Sequence, residues 1–190
     1  DLKWAQLTSI SAFGRSDNVL LNDVTAVFGG LLVPAYTAPA GSTVTINNAD
    51  HTHKKSQEIR LGSSSDKFDW MTGAFYTEDQ ASTDQILFLA GPNGAAIATP
   101  YVGKGPAKYR EYAGFGDVTY HATAQLDVQV GVRYAKNKQD ASADFNIAGP
   151  AQRFFGPTRV TTSGSDEGAF TWLFSPSYHF TQDMMAYLSR

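Results

Sequence analysis

An all-β fold, an antiparallel meander of about seven strands, is predicted from three observations on this chain of 190 residues. Amphipathic stretches alternate apolar and polar residues with a period of two. The connections between them alternate long and short. No stretch carries a helical period of useful length. The clearest stretch sets Leu126, Val128, Val130, Val132 and Tyr134 on one face, against Asp127, Gln129, Gly131 and Arg133 on the other. Such a strand is greasy on one side and wet on the other. The wall of a transmembrane barrel, with lipid outside and polar filling inside, has this pattern. A soluble sandwich shows the same alternation on a smaller scale.

The first strand falls in residues 2 to 15, where Trp4, Ile10 and Ala12 compete with Leu7 and Phe13 for the apolar face. Residues 16 to 51 form a long connection broken by Gly29, Gly30, Pro34, Pro39 and Gly41. The second strand, 52 to 61, opposes Ile59 and Leu61 to Glu58 and Arg60, and closes through a short turn, 62 to 67. The third, 68 to 77, sets Phe68, Trp70, Thr72, Ala74 and Tyr76 on one face, aromatic at both ends as an interfacial girdle requires. A second long connection, 78 to 107, is punctuated by Gly91-Pro92, Pro100 and Gly105-Pro106.

Residues 108 to 120 return as a strand with Tyr112, Gly114, Gly116, Val118 and Tyr120 on one face and Glu111 and Asp117 on the other. After the short turn 121 to 125 and the strand from Leu126, a third long connection covers 136 to 168. The next strand, 169 to 178, turns Phe170, Trp172, Phe174, Pro176 and Tyr178 outward, with Pro176 near its end, where a lost ladder donor is tolerated. The turn 179 to 183 leads to a last strand, 184 to 190. Loops of about 30 residues are uncommon in compact soluble domains, whereas transmembrane barrels place long loops on the extracellular side and short turns on the periplasmic side. Here the long connections follow the first, third and fifth strands, so one side owns all of them.

Composition removes several classes. With 42% hydrophobic and 13% aromatic residues the chain has enough apolar surface for a core or a lipid-facing band, which argues against disorder. A formal net charge of −3, with scattered Lys and Arg, leaves no basic footprint for nucleic acid. The absence of Cys excludes disulfides, thiolate metal sites and thiol catalysis. No apolar run reaches the roughly 20 residues of a membrane-spanning helix, and Asp1 is not followed by a basic leader. The expectation is a processed chain or an interior piece of a longer one.

The wording of the strands is similar to that of a known family. Ser56-Gln57-Glu58-Ile59-Arg60-Leu61-Gly62-Ser63 followed by Phe68-Asp69-Trp70-Met71-Thr72-Gly73-Ala74-Phe75-Tyr76 resembles a barrel hairpin of TonB-dependent outer-membrane receptors. So do Tyr112 to Tyr120, Val130-Gly131-Val132-Arg133-Tyr134 and Phe170 to Tyr178. The resemblance covers most strands and none of the long loops. It implies a wall segment of a 22-stranded barrel in the cell outer membrane, from a receptor that imports a scarce nutrient such as an iron-siderophore chelate. It also implies an N-terminal plug that contacts the TonB complex, and residues 1–190 contain neither that plug nor most of the barrel. About seven strands leave two open edges, and unpaired backbone groups in lipid cost several kcal/mol each, so the segment needs the remainder of a barrel to span a membrane.

Candidate residues follow from the pattern. Two apolar loops place Phe28, Leu31, Leu32 and Tyr36, and Phe88 and Tyr101, as candidates for contact with a ligand of unknown identity; the competing reading is that these loops pack on one another. Glu58, Arg60, Asp117, Asp127 and Arg133 are expected to face the lumen, as a contact surface or as a cross-strand ladder that keeps the wall rigid. Trp70, Val128, Val130, Val132, Trp172 and Phe174 are expected to face outer-membrane lipid. His51 and His53 supply too few donors for a metal site, so no metal is expected. Lys104 and Lys108 with Arg110 form a basic stretch that either attracts an anion, lipopolysaccharide phosphate included, or is merely solvated. No Gly-x-Ser-x-Gly elbow, His-Glu-x-x-His or phosphate loop occurs, so neither catalysis nor a cofactor is expected. Two other classes compete: an extracellular β-sandwich adhesion module, which would bury the outward residues under a second sheet, and a self-assembling filament, which would pair the open edges.

Overall fold

The computed structural model describes residues 2–181 and 183–190. It shows seven strands in one antiparallel sheet, hydrogen-bonded in chain order. They are β1 (Gln6–Asp23), β2 (Thr43–Ser64), β3 (Phe68–Ala90), β4 (Ala96–His121), β5 (Leu126–Ile147), β6 (Arg159–Thr181) and β7 (Met184–Tyr187). β1 and β7 are the two edges, and the sheet does not close. One end carries only short turns, such as those between Ser64 and Phe68 and between His121 and Leu126. The other end carries the longer excursions.

The strands run well past the positions where amphipathic alternation ends. β3 has 23 residues and β4 has 26, against the roughly 9–11 needed to cross a bilayer. Most of what the sequence marks as long connections is therefore hairpin that continues the ladder. The segment between β3 and β4 shrinks to residues 91 to 95, turned by Gly94 at φ +79°. Pro106 sits inside β4 because the β4–β5 ladder is interrupted there: Lys104 pairs with Asp144 and Ala107 with Ala141, and Gly105 and Pro106 make no pair with β5. A residue with no N–H is tolerated at such a gap.

Register sorts every side chain onto one of two faces, since the side-chain period is two. Trp70 lies opposite Val118, Val118 opposite Val130, and Val130 opposite Phe174, all on the outer face. Trp172 is 53% exposed and Phe174 45%, and no second sheet lies over them among the described residues, so the sandwich arrangement is absent. β1 resolves its ambiguous facing through its pairs: Leu7 opposite Leu61 and Ser9 opposite Ile59 place Leu7 and Phe13 outward, and Ile10 and Ala12 inward.

The buried core is small and lies on the inner face at the hairpin end. A π-helical turn (Thr25–Gly29) runs into α1 (Gly30–Ala35), and a 3-10 turn (Gly149–Ala151) runs into α2 (Gln152–Phe155). Leu32 and Ala151 from these helices meet Val44, Leu87, Leu89 and Ile147 from the strands. The short helices depart from the all-strand expectation. They form where Gly30, Pro34 and Pro150 break the ladder and Leu32 can be sealed against the sheet.

Candidate functional site

The inner face carries a polar network built by cross-strand register. Arg60 pairs with Glu58, and Arg133 pairs with Glu111. The guanidinium of Arg133 also lies over the rings of Phe75 and Phe115, 5.8 and 5.9 Å from their centroids. The Phe115 ring reaches this position by lying on Gly73, where an added Cβ would meet it at 2.6 Å. Tyr109 extends the network, its hydroxyl 2.8 Å from Glu111 Oε2 and 3.1 Å from Asn137 Oδ1. Gln129 donates to Asp117 at 3.5 Å. All five charges expected on this side, Glu58, Arg60, Asp117, Asp127 and Arg133, thus share one face, and cation–π contact orients the central guanidinium.

At the short-turn end, beyond Tyr120, the inner face carries a ladder that spacing along the chain does not reveal. His121 Nδ1 lies 2.7 Å from Asp127 Oδ1, and its Nε2 lies 3.0 Å from Asp69 Oδ2. His179 Nε2 lies 3.1 Å from the other Asp127 oxygen. Hydrogen bonds to Asp127 and then to Asp69 raise the pKa of His121 above its usual range, and the bond from His121 holds Asp127 below the usual carboxylate range. His121 and His179 open the short turns 121 to 125 and 179 to 183 of the sequence, and their partners lie across the sheet, where spacing along the chain does not show them. No group of three or more metal-binding side chains is present among the described residues.

The apolar loop candidates divide. Leu32 is fully buried and has no surface to offer a ligand. Phe28 packs edge-on against Phe155, with ring centroids 5.7 Å apart, and the Tyr36 hydroxyl donates to Ala148 O at 2.5 Å. Tyr101 lies beside Phe145 and Phe155. These contacts are the loop-on-loop packing that competed with a ligand site. Leu31 stays 43% exposed. Phe88 projects from the face opposite Leu87 and Leu89, away from the inner cluster.

The outer face shows a third arrangement. Between the Phe68–Tyr120 stack and the Tyr76–Tyr112 pair, with ring centroids 5.0 and 4.9 Å apart, its residues on β3 and β4 carry no charge. Beyond the Tyr76–Tyr112 pair, towards the hairpin tips, charges begin at once. Glu78, only 7% exposed, is held by Lys108 Nζ at 2.9 Å and Lys55 Nζ at 3.1 Å. These contacts, Lys108 foremost, pull its pKa down to about 2. Arg110 reaches Asp140 at 3.3 Å, and Lys136 reaches Asp166 at 3.3 Å.

A single sheet, apolar and charge-free on one face between aromatic rows and polar on the other, has the make-up of a barrel wall. The fold is that of the barrel of TonB-dependent receptors. The ferric yersiniabactin uptake receptor FyuA from Yersinia pestis matches with a TM-score of 0.72 and 17% identity, over 98% of this chain and 25% of that one. The ferric-catecholate import receptor Fiu from E. coli K12 matches in its closed form with a TM-score of 0.62 and 9% identity, over 99% of this chain and 30% of that one. Its open form gives 0.58 and 10%, over 95% and 35%. The chain thus spans about a third or less of these receptors' length. No protein-family model matches the sequence, and no curated protein matches it either.

Proposed function

We propose that this chain is a stretch of wall in an outer-membrane, TonB-dependent import barrel, and that the whole barrel takes up an iron chelate of the siderophore type. The observation that carries the reading is the two-faced sheet: an uncharged outer band between aromatic rows, backed by the Arg133–Glu111–Tyr109 network on the inner face. In this reading Trp70, Val128, Val130, Val132, Trp172 and Phe174 face lipid. Glu58, Arg60, Asp117, Asp127 and Arg133 face the lumen, where a plug belonging to the same receptor would contact them and transmit the TonB complex's pull. The two named neighbours, one a ferric yersiniabactin and one a ferric-catecholate receptor, support iron chelates as the ligand class. Among the loop candidates, Leu31, on the cap that α1 and α2 form over the inner face, keeps an exposed side chain that could meet such a ligand.

The reading has no use for catalysis, since a barrel wall needs only a rigid frame and a wet interior. The test is uptake of radio-iron chelates by iron-limited cells that lack the gene, and by the same cells with the gene restored. Loss of uptake of one chelate class, restored only when the TonB complex is intact, is the expected result. Unchanged uptake of every chelate would refute the ligand class. Uptake that persists without the TonB complex would refute the energy coupling.

A further inference from the structure

At the short-turn end, side chains from β2 to β6 join in one hydrogen-bonded row on the inner face. Ser64 Oγ donates to Asp69 Oδ1 at 2.5 Å, His121 lies between Asp69 and Asp127, and His179 closes the row on the second Asp127 oxygen. His121 decides the state of the row. A neutral imidazole has one N–H and one lone pair, whereas an imidazolium has two N–H groups. With a carboxylate oxygen 2.7 Å from Nδ1 and another 3.0 Å from Nε2, both ring nitrogens must donate for the row to be whole. Loss of one proton replaces a charge-assisted hydrogen bond by a lone pair facing a carboxylate. The longer contact, to Asp69, is the one that breaks, because the remaining proton stays on the shorter bond to Asp127.

Asp69 and Ser64 stand on either side of the turn 62–67, so the Asp69–His121 contact ties that turn to β4. A backbone bond from His121 N to Lys67 O, 2.9 Å long, runs beside it. The turn 121–125 is closed without any titratable group: Ala122 N donates to Leu126 O, and Thr123 Oγ1 accepts from Gln125 N and Leu126 N. A hollow of about 820 Å³ next to Asp66 and Lys67, with His121, Asp127 and His179 also on its wall, leaves the first turn room to move. We propose that the row is a pH-gated clasp: with His121 as an imidazolium the turn 62–67 is pinned to β4, and on loss of that proton Asp69 lets go and the turn swings free. The charged and titratable groups around His121 are Asp69 from β3, Asp127 from β5, His179 from β6, Asp66 and Lys67 from the turn, and Asp117 four residues earlier on its own strand. Hydrogen bonds to Asp127 and then Asp69 raise the His121 pKa, so the pinned state is complete below about pH 6.5 and is lost as pH rises through the folded value. The clasp stands on side-chain geometry alone; in the barrel reading this rim faces the periplasm, whose pH the turn would then report.

The test is hydrogen exchange with mass spectrometry on the whole native polypeptide in bilayer discs, from about pH 5 to about pH 9. Rates are divided by the intrinsic rate at each pH, and the His121 titration is followed by NMR on the same sample. Protection of residues 62 to 68 is expected to fall about tenfold across the His121 titration, the loss of one hydrogen bond to a charged group, while residues 121 to 126 keep theirs. His121→Gln and Asp69→Asn should each hold 62 to 68 at one low level at every pH. His179→Gln, which touches only Asp127, should leave the step in place. Constant protection of 62 to 68 in the wild type, a step that survives in His121→Gln or vanishes in His179→Gln, or an equal step in 121 to 126 would each overturn the clasp. None of these results bears on which face of the sheet meets lipid.

Discussion

Val130 is the midpoint of the outward series Leu126 to Tyr134, and its side chain, 43% exposed, lies between Val118 and Phe174 with no protein above it. If that face meets the bilayer core, Val130→Arg puts a guanidinium near the midplane at a cost of roughly 2–4 kcal/mol. At about 1.4 kcal/mol per tenfold, this weakens the folding equilibrium by a factor of roughly 30 to 800. The neighbouring substitution Gln129→Arg makes the internal control, because residue 129 points to the inner face beside Asp117, at 3.5 Å in the existing hydrogen bond. There an arginine gains a partly solvated ion pair worth about 0–1 kcal/mol. Urea unfolding of the native polypeptide reconstituted in phospholipid bilayers reads both. A large loss for V130R and none for Q129R is expected. Equal effects, or a V130R loss under about 0.5 kcal/mol, would mean that water and not lipid covers the outer face, and the assignment of faces would fall.

Other consequences are as specific. The carboxyl of Glu78 is held below its usual range by Lys108 and Lys55, so it contributes stability above the unfolded pKa that is lost as pH falls towards about 2. The stability gap between wild type and Glu78→Gln should therefore be full at pH 7, shrink below about pH 4.5 and close near pH 2 in equilibrium unfolding. His121 is shifted the opposite way by Asp127 and Asp69, so its contribution is complete below about pH 6.5 and is lost as pH rises through the folded value. Its imidazole nitrogens should titrate above about 6.5 by NMR, and Asp127→Asn should bring them down. Leu32→Ala empties a fully buried site in the cap and should cost the cap about 2–5 kcal/mol, seen as faster hydrogen exchange and proteolysis of residues 24 to 42 with the short-turn end unchanged.

What the sequence made legible was decided by the solvent on each face. Leu126 to Tyr134 and Phe170 to Tyr178 read clearly because one side of each is uniformly apolar, a signal that survives without any partner. Beyond the aromatic rows both faces of the hairpins are wet. Residues such as 78 to 85 and 136 to 144 lose their alternation there, while the ladder continues through backbone hydrogen bonds that carry no composition signal. Gly105 and Pro106 read as loop punctuation but sit within β4, where an interrupted ladder absorbs them. The His121–Asp127–His179 ladder depends on register between strands, which single-chain spacing does not encode. Leu32 looked like ligand-binding surface for a similar reason: the strand residues that bury it, Val44, Leu87 and Ile147, are remote in sequence.

The central claim, that the outer face of this sheet is turned to lipid, is tested most directly by the fluorescence of Trp172. In a variant of the native polypeptide keeping only that tryptophan and reconstituted in bilayers, lipids brominated along the acyl chain should quench the emission strongly, while aqueous iodide should leave it nearly unchanged. Strong quenching by iodide with none from brominated lipid would put Trp172 in water and contradict the account.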